Sequence, residues 1–209
     1  NCFNDFGFLL VPNFLGDDLP SISRAFDQAF AEHEPIEAFS EVHFGGRNLG
    51  LPYIADLHPD LAGLKDDPRV LGAAHSLITG EVEYRESAGN VYECDTSWHC
   101  DLYDSPLDQF HVKLLFYLDP AGAETGALRV LPGTHLYQSH YAKRLRVQLD
   151  PWSAIEQRYG VSAKGVPGHV VPTQPGDLVL LNFRTMHATF GGAPGRRLLR
   201  DPGAQRDLR

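Results

Sequence analysis

"QFHVKLLFYLD", residues 109–119, decides the class of fold. It is strand-length, closes on an aspartate and is rich in aliphatic and aromatic residues. As a strand it sets Lys113, Leu115 and Tyr117 on one face and Val112, Leu114 and Phe116 on the other. The pattern alone leaves open which set faces inward. Further strand-length runs lie on either side: "EVEYRES" (81–87), "GALRVL" (126–131), "GHVVP" (168–172) and "GDLVLLNF" (176–183). Gly, Pro or Asp bounds most of them.

Upstream the pattern is different. "FGFLLVPNFLGDDLPSISRAFDQAF" (6–30) predicts a short strand, a turn and a helix. Leu19, Ile22, Phe26 and Phe30 form an amphipathic stripe on that helix, with Asp17 or Asp18 placed to cap it. "DDPRVLGAAHSLITG" (66–80) predicts a second helix, with Asp67 as N-cap, Pro68 at its first position, Gly80 as stop and His75 an ordinary helical residue. Helices followed by many short strands predict a mainly β fold with flanking helices: a sandwich, jelly roll or barrel. Residues 1–209 are expected to form a single domain, with helical cover mainly in 1–80 and a β core over 81–200. A polar segment at about 136–166, with a helix around "SAIEQRYG", reads as an insertion.

Bulk composition narrows the function classes. Apolar residues at 43% and aromatics at 11% supply a packed core, whereas 20 Gly and 15 Pro suit turns between strands. A formal charge of -9 argues against nucleic acid as partner, and "RRLLR" (196–200) is the only dense basic run. Cys2, Cys94 and Cys100 form no paired framework, which points to a reducing cytoplasm. No apolar run approaches the roughly 18 residues of a membrane span. The chain opens on Asn1, and the natural protein is expected to begin before it.

"TSWHCDLYD" (96–104) carries the first chemical signal. In a strand-like setting His99 and Asp101 point to one side and Cys100 to the other. One imidazole and one carboxylate on a short rigid backbone make two-thirds of a facial site. That donor set suits Fe(II), whereas a thiolate-rich set would suit zinc or an iron–sulfur cluster. His187, after the strand pattern of "GDLVLLNFRTM", is the best third ligand. His58-Pro59-Asp60 has the same spacing, and with 10 histidines one accidental match is expected. Pro59 cannot donate to a ladder, so "HPDLAGL" reads as a turn opening a helix, with Asp60 as N-cap. Trp98 is expected to pack structurally. Tyr92 and Tyr103 flank the motif, with packing the simpler role. His111, His140 and His169 show no partner pattern.

The surroundings of these residues are more specific than the triad. "WHCDLY", "ETGALRVLPGTH" and "GDLVLLNFRTMHATFGG", followed by an arginine pair, resemble the phytanoyl-CoA dioxygenase (PhyH) family. The resemblance runs from "FGFLLVPNFLG" to "GRRLL". It implies a double-stranded β-helix (a cupin-like jelly roll) and an Fe(II)- and 2-oxoglutarate-dependent dioxygenase. It implies His99, Asp101 and His187 as iron ligands and catalytic centre, and Thr189 as a hydroxyl that helps hold the cosubstrate. The arginine that salt-bridges 2-oxoglutarate matches Arg196, with Arg197 as the other candidate; on a strand only one of the two can enter the barrel. "LPGTH" matches a loop in which His135 is not a ligand. If the odd-numbered set of 109–119 faces inward, Lys113 and Tyr117 reach cosubstrate or substrate. Related halogenating enzymes replace the carboxylate with a small residue, so Asp101 favours hydroxylation, or another outcome of hydrogen abstraction, on a small-molecule substrate by O₂, with release of succinate and CO₂. Two departures stand out. The interval from His187 to the arginines is short, and "RDPGAQRDLR" (200–209) does not read as the closing strand the family has there. The alternatives are a cupin-like metalloenzyme that does not use 2-oxoglutarate, which a missing cradle arginine would favour, and a non-catalytic jelly-roll binding module.

Overall fold

Twelve strands, numbered in chain order, form two antiparallel sheets among the described residues. The computed structural model describes residues 2–37, 43–44, 46–78, 82, 87–101, 109–136, 160–192 and 194–207, with 43, 44, 109 and 201–207 as backbone only. The seven-stranded sheet runs β1 (Phe8–Val11), β10 (Leu178–Asn182), β7 (Gln109–Tyr117), β12 (Arg196–Asp207), β5 (Ala88–Tyr92), β4 (Asn48–Pro52), β2 (Ile36–Glu37). The five-stranded sheet runs β3 (His43–Phe44), β6 (Asp95–His99), β11 (His187–Thr189), β8 (Leu128–Val130), β9 (His169–Val171).

Alternation on β7 and β10 explains the layers. Val112, Leu114 and Phe116, with Leu178 and Leu180, pack outward on Ile22, Ala25, Phe26 and Ala29 of α2 (Leu19–Glu32) and on Leu61 and Leu64 of α3 (Pro59–Asp66). Leu115 and Tyr117, with Val179 and Leu181, pack inward on Leu128, Val130 and Val171 of the small sheet. The odd-numbered set therefore faces the space between the sheets. A third cluster, Trp98, Cys100, Leu131, Ala163, Met186, Ala188 and Phe190, covers the outer face of the small sheet. There the Trp98 indole donates to the Ala163 carbonyl at 2.8 Å, a structural role.

The helix ends hold two corrections. The α2 stripe is buried as expected, but Asp18 forms no side-chain cap; its carboxylate instead accepts from Arg69 at 2.5 Å. His58, not Asp60, caps α3: its Nδ1 accepts from the Asp60 amide at 3.2 Å, with Pro59 in the first turn. That cap removes the second His-x-Asp from the metal question. Asp67 caps α4 (Pro68–Leu77) as predicted, accepting from the Arg69 amide at 2.7 Å, and His75 is an exposed residue of that helix. The helix ends at Leu77, and Gly80 lies outside the described residues.

Other differences are in the sheets. Most of "EVEYRES" lies outside the described residues, and the strand there is β5, beginning at Ala88. The strands β2, β3 and β4, and the short helix α1 (Cys2–Phe6), were not expected. The closing strand is present after all: β12 continues through Pro202 to Asp207, paired with β7, with a register shift between Gly203 and Gln205. The expected helix around "SAIEQRYG", Tyr103 and His140 fall outside the described residues. No described helix is long and apolar enough to cross a membrane.

Phe116 is 0% exposed at the junction of the large sheet and α2. Phe116→Ala is expected to lower stability by about 3–5 kcal/mol, read from urea denaturation; a loss under about 1 kcal/mol would contradict this packing.

Candidate metal centre

Strand pairing brings the three predicted ligands together. β11 lies antiparallel to β6, and His187 is the direct register partner of His99. Their ring centroids are 4.2 Å apart. Asp101 follows just beyond the end of β6, where its amide donates to the Phe183 carbonyl, just after β10 of the large sheet, at 2.8 Å. It thus sits where the two sheets meet. One potential ligand atom from each of His99, Asp101 and His187 falls within 4.8 Å of the others. Cys100, as alternation requires, packs on the far side with Trp98.

Hydrogen bonds fix which atoms face the common point. His99 Nδ1 lies 2.8 Å from the Ser97 carbonyl and His187 Nδ1 2.9 Å from the Thr185 carbonyl. A carbonyl only accepts, so both Nδ1 atoms carry the proton and both Nε2 atoms keep a lone pair. Asp101 Oδ1 accepts from Lys113 Nζ at 2.7 Å. Oδ2 is buried, has no hydrogen-bond partner and lies 3.9 Å from His187 Nε2. A buried carboxylate oxygen left unpaired is costly, and a cation is the partner that two imidazole lone pairs and this oxygen would share. The donor set fits Fe(II).

Electrostatics favour the metal-ready protonation state. Burial lowers His99 to about 3, with His187 adding to the effect and Asp101 opposing it. Burial also lowers His187, against the pull of Asp101. For Asp101 burial acts upward, but Lys113 and both imidazoles outweigh it and hold the carboxyl below the ordinary range. Burial lowers Lys113 too, with Asp101 opposing.

The arginine pair divides as alternation demands. Arg197 points outward, donating to both carboxylate oxygens of Asp119 at 2.8–3.1 Å and to Asp27 and Ser23 of α2 at 2.9 Å. Its bonding capacity ties helix to sheet. Arg196 points inward, 6% exposed, with its guanidinium 5.2 Å from the Tyr92 ring and one donor 3.4 Å from the Thr125 carbonyl. Gly126, at φ +85°, lies against that guanidinium, which fills the space a Cβ would need. No carboxylate pairs with Arg196 among the described residues, and Thr189 Oγ1 is buried without a hydrogen-bond partner. Tyr117 lies deeper in the barrel, its phenol pushed up by burial. His135 Nε2 lies 2.8 Å from the Asn4 carbonyl, away from the triad, and His169 packs near Phe8. His111 stacks on Phe183.

Sequence reasoning missed the Lys113–Asp101 contact, and it missed Asn48, Asn90 and Arg200, polar residues on the inner face of the large sheet. The alternation that puts Lys113 on one face of β7 with Leu115 and Tyr117 was the signal available in advance, without saying which face is inward.

The family model described as phytanoyl-CoA dioxygenase (PhyH) matches residues 3–197. Similar solved structures include the non-heme alpha-ketoglutarate-dependent carbocyclase SnoK from nogalamycin biosynthesis, 18% identical with a TM-score of 0.76, covering 97% of this chain and 81% of that one. HygX from Streptomyces hygroscopicus, with nickel and 2-oxoglutarate bound, is 19% identical with a TM-score of 0.73, covering 99% and 85%. The epimerase SnoN, in complex with Fe3+, alpha-ketoglutarate and nogalamycin RO, is 17% identical with a TM-score of 0.72, covering 99% and 81%. A further HygX structure holds hygromycin B. No curated protein matches this chain. At these identities the likeness is one of fold.

Both imidazoles sit below their unfolded value of about 6.5. As pH falls through that value the unfolded chain gains protons that the folded chain does not, so stability is lost toward acid. The metal-free protein's Tm is expected to fall between about pH 7 and pH 5, less steeply in His99→Gln. A Tm that is flat or rises over that interval would contradict the buried neutral pair.

Proposed function

The chain belongs to the phytanoyl-CoA dioxygenase (PhyH) family of Fe(II)- and 2-oxoglutarate-dependent oxygenases, and we propose that it hydroxylates a small molecule at an iron held by His99, Asp101 and His187. The observation that carries the ligand assignment is the buried, partnerless Asp101 Oδ2 beside two imidazoles whose Nε2 lone pairs are free. When bound, iron and 2-oxoglutarate supply an oxidation that consumes O₂ and releases succinate and CO₂. The protein's share is positioning and shielding.

Each residue has a physical task. The carbonyls of Ser97 and Thr185 lock the imidazole tautomers and ring orientations. Lys113 occupies one oxygen of Asp101 and so presents the other as a single-atom donor. A carboxylate at this position takes the place a halide would need, which supports hydroxylation over halogenation. Arg196 is the proposed fork for the far carboxylate of 2-oxoglutarate, with the Thr189 hydroxyl beside it. A buried inward arginine without a carboxylate partner among the described residues supports this reading over a cupin-like enzyme that does without 2-oxoglutarate. The ties of Arg197 to Asp119 and Asp27 weigh against it in that role.

A small-molecule substrate is supported by hygromycin B bound to HygX and nogalamycin RO in complex with SnoN. A charge of -9 weighs against nucleic acid. We place residues 1–209 in one catalytic domain, and three cysteines outside any disulfide support a cytoplasmic setting.

Asp101→Ala is expected to abolish succinate formation and to weaken Ni(II) binding, measured by calorimetry. Wild-type succinate release by this variant would count against the ligand assignment. In anaerobic titrations of Fe(II)-loaded protein, followed by the visible charge-transfer band, Arg196→Gln should weaken 2-oxoglutarate about ten- to hundredfold, the scale of a charge-assisted pair. Arg197→Gln should leave that affinity intact and lower Tm. The reverse pattern would exchange the two arginines.

A further inference from the structure

The inner face of the large sheet carries a second polar group that the iron and cosubstrate assignments do not use. Along β12, Arg196, Leu198 and Arg200 share one face, and Leu198 packs in the layer between the sheets. Arg200 therefore also points inward. It pairs across the sheet with Leu115 of β7 and Ala88 of β5. Lys113, which holds Asp101, lies two residues from Leu115 on the same face. Arg200 is thus a diagonal neighbour of the residue that touches the proposed iron ligand. Its charge is felt at both Lys113 and Tyr92.

Arg200 has no counter-charge among the described residues. Its Nε is buried without a hydrogen-bond partner, and it forms no ion pair among the described residues. Next to it on the same face is Asn90 of β5, the register partner of Leu198. Asn90 is 4% exposed; its Nδ2 donates to Asn48 Oδ1 at 3.1 Å, while its own Oδ1 is buried with no partner. The cross-strand neighbours are small, Gly50 beside Asn90 and Ala88 beside Arg200, so little bulk covers the pair. A buried guanidinium Nε and a buried amide acceptor, both unmatched on an inner wall, each cost stability unless something completes them. Together they describe a complement: an anionic fork for Arg200 and an adjacent donor for Asn90.

Building on the iron and 2-oxoglutarate reading above, we propose that Arg200 and Asn90 form the substrate subsite, and that the substrate is a small carboxylic acid bearing a hydroxyl or amino donor near its carboxylate. The guanidinium takes the carboxylate through two parallel N–H···O bonds, and Asn90 Oδ1 accepts from the neighbouring O–H or N–H. This sets the acid end against the large sheet and leaves the rest of the molecule to reach toward the His99–Asp101–His187 side. Asn48 is a positioning residue: it fixes the Asn90 amide so that its oxygen, not its nitrogen, faces the ligand.

The test uses the full chain loaded with Ni(II) and 2-oxoglutarate under anaerobic conditions. The probes are matched pairs of α-hydroxy or α-amino acids and their primary amides: lactate with lactamide, mandelate with mandelamide, proline with prolinamide. Binding is read by ligand-observed saturation-transfer NMR. The wild type should prefer the acids over their amides by about tenfold or more, the scale of one charge-assisted pair. Arg200→Gln should erase that preference while 2-oxoglutarate affinity is unchanged, and Arg200→Lys should keep part of it. Asn90→Asp, which sets a fixed carboxylate beside Arg200, should also erase it, and serves if Arg200→Gln fails to fold. Equal binding of acids and amides by the wild type, an undiminished preference in these variants, or loss of 2-oxoglutarate affinity in Arg200→Gln would each overturn the subsite alone. A wild type that takes up neither Ni(II) nor 2-oxoglutarate overturns the metal reading and this proposal together.

Discussion

A slip of one residue between β6 and β11 would carry His99 or His187 to the other face of the small sheet, because side chains alternate along a strand. The direct pairing of these two residues is the constraint on which the site depends. The register is held from behind. Trp98, Met186, Ala188 and Phe190 fill the outer layer, so the alternate residues have a buried place of their own. The turn before His187 is tied down as well: the Met186 amide donates to Thr134 Oγ1 at 2.9 Å, and Thr185 Oγ1 donates to the Gly7 carbonyl at 3.0 Å. Packing on one face of the sheet thus sets the position of polar atoms on the other.

The interior between the sheets then works as a sorted set of charges. Asp101 faces Lys113 with one oxygen and the imidazoles with the other. Arg196 sits over Tyr92 toward the opposite end of the same wall, and Arg200 lies between the two levels along β12. Buried charges persist when partners satisfy them. Lys113 has its partner within the protein, whereas neither arginine has a carboxylate partner among the described residues. The apolar residues among them, Leu115, Leu198 and Leu181, keep the groups apart and limit water around them.

Much of this was legible in the sequence, for reasons that can be named. The i, i+2 spacing flagged His99 and Asp101, the surrounding motifs that resemble the family made the triad with His187 specific, and the false match at His58 could be demoted because Pro59 starts a helix. That His58 is itself the cap was not legible, since imidazole is an uncommon capping group. Alternation required one arginine to point inward, but Arg196 was separated from Arg197 only by Asp119 and Asp27, which come from distant parts of the chain. The inward face of β7 could not be read because both of its faces are buried, so the apolar pattern has no contrast. "AGNVY" and "NLGLP" were passed over because Gly, Asn and Pro are poor strand formers. Their two asparagines belong to the inner wall. The closing strand was obscured by Pro202, which is tolerated where β12 has left its pairing with β5 at Arg200.

X-ray absorption at the iron edge of the anaerobic Fe(II)-loaded protein reads the metal's ligands themselves. A six-coordinate site of light N and O donors at about 2.0–2.2 Å is expected, with the multiple-scattering signature of two imidazoles, reduced to one in His99→Gln. A sulfur shell at about 2.3 Å, or a spectrum without imidazole scattering, would contradict it.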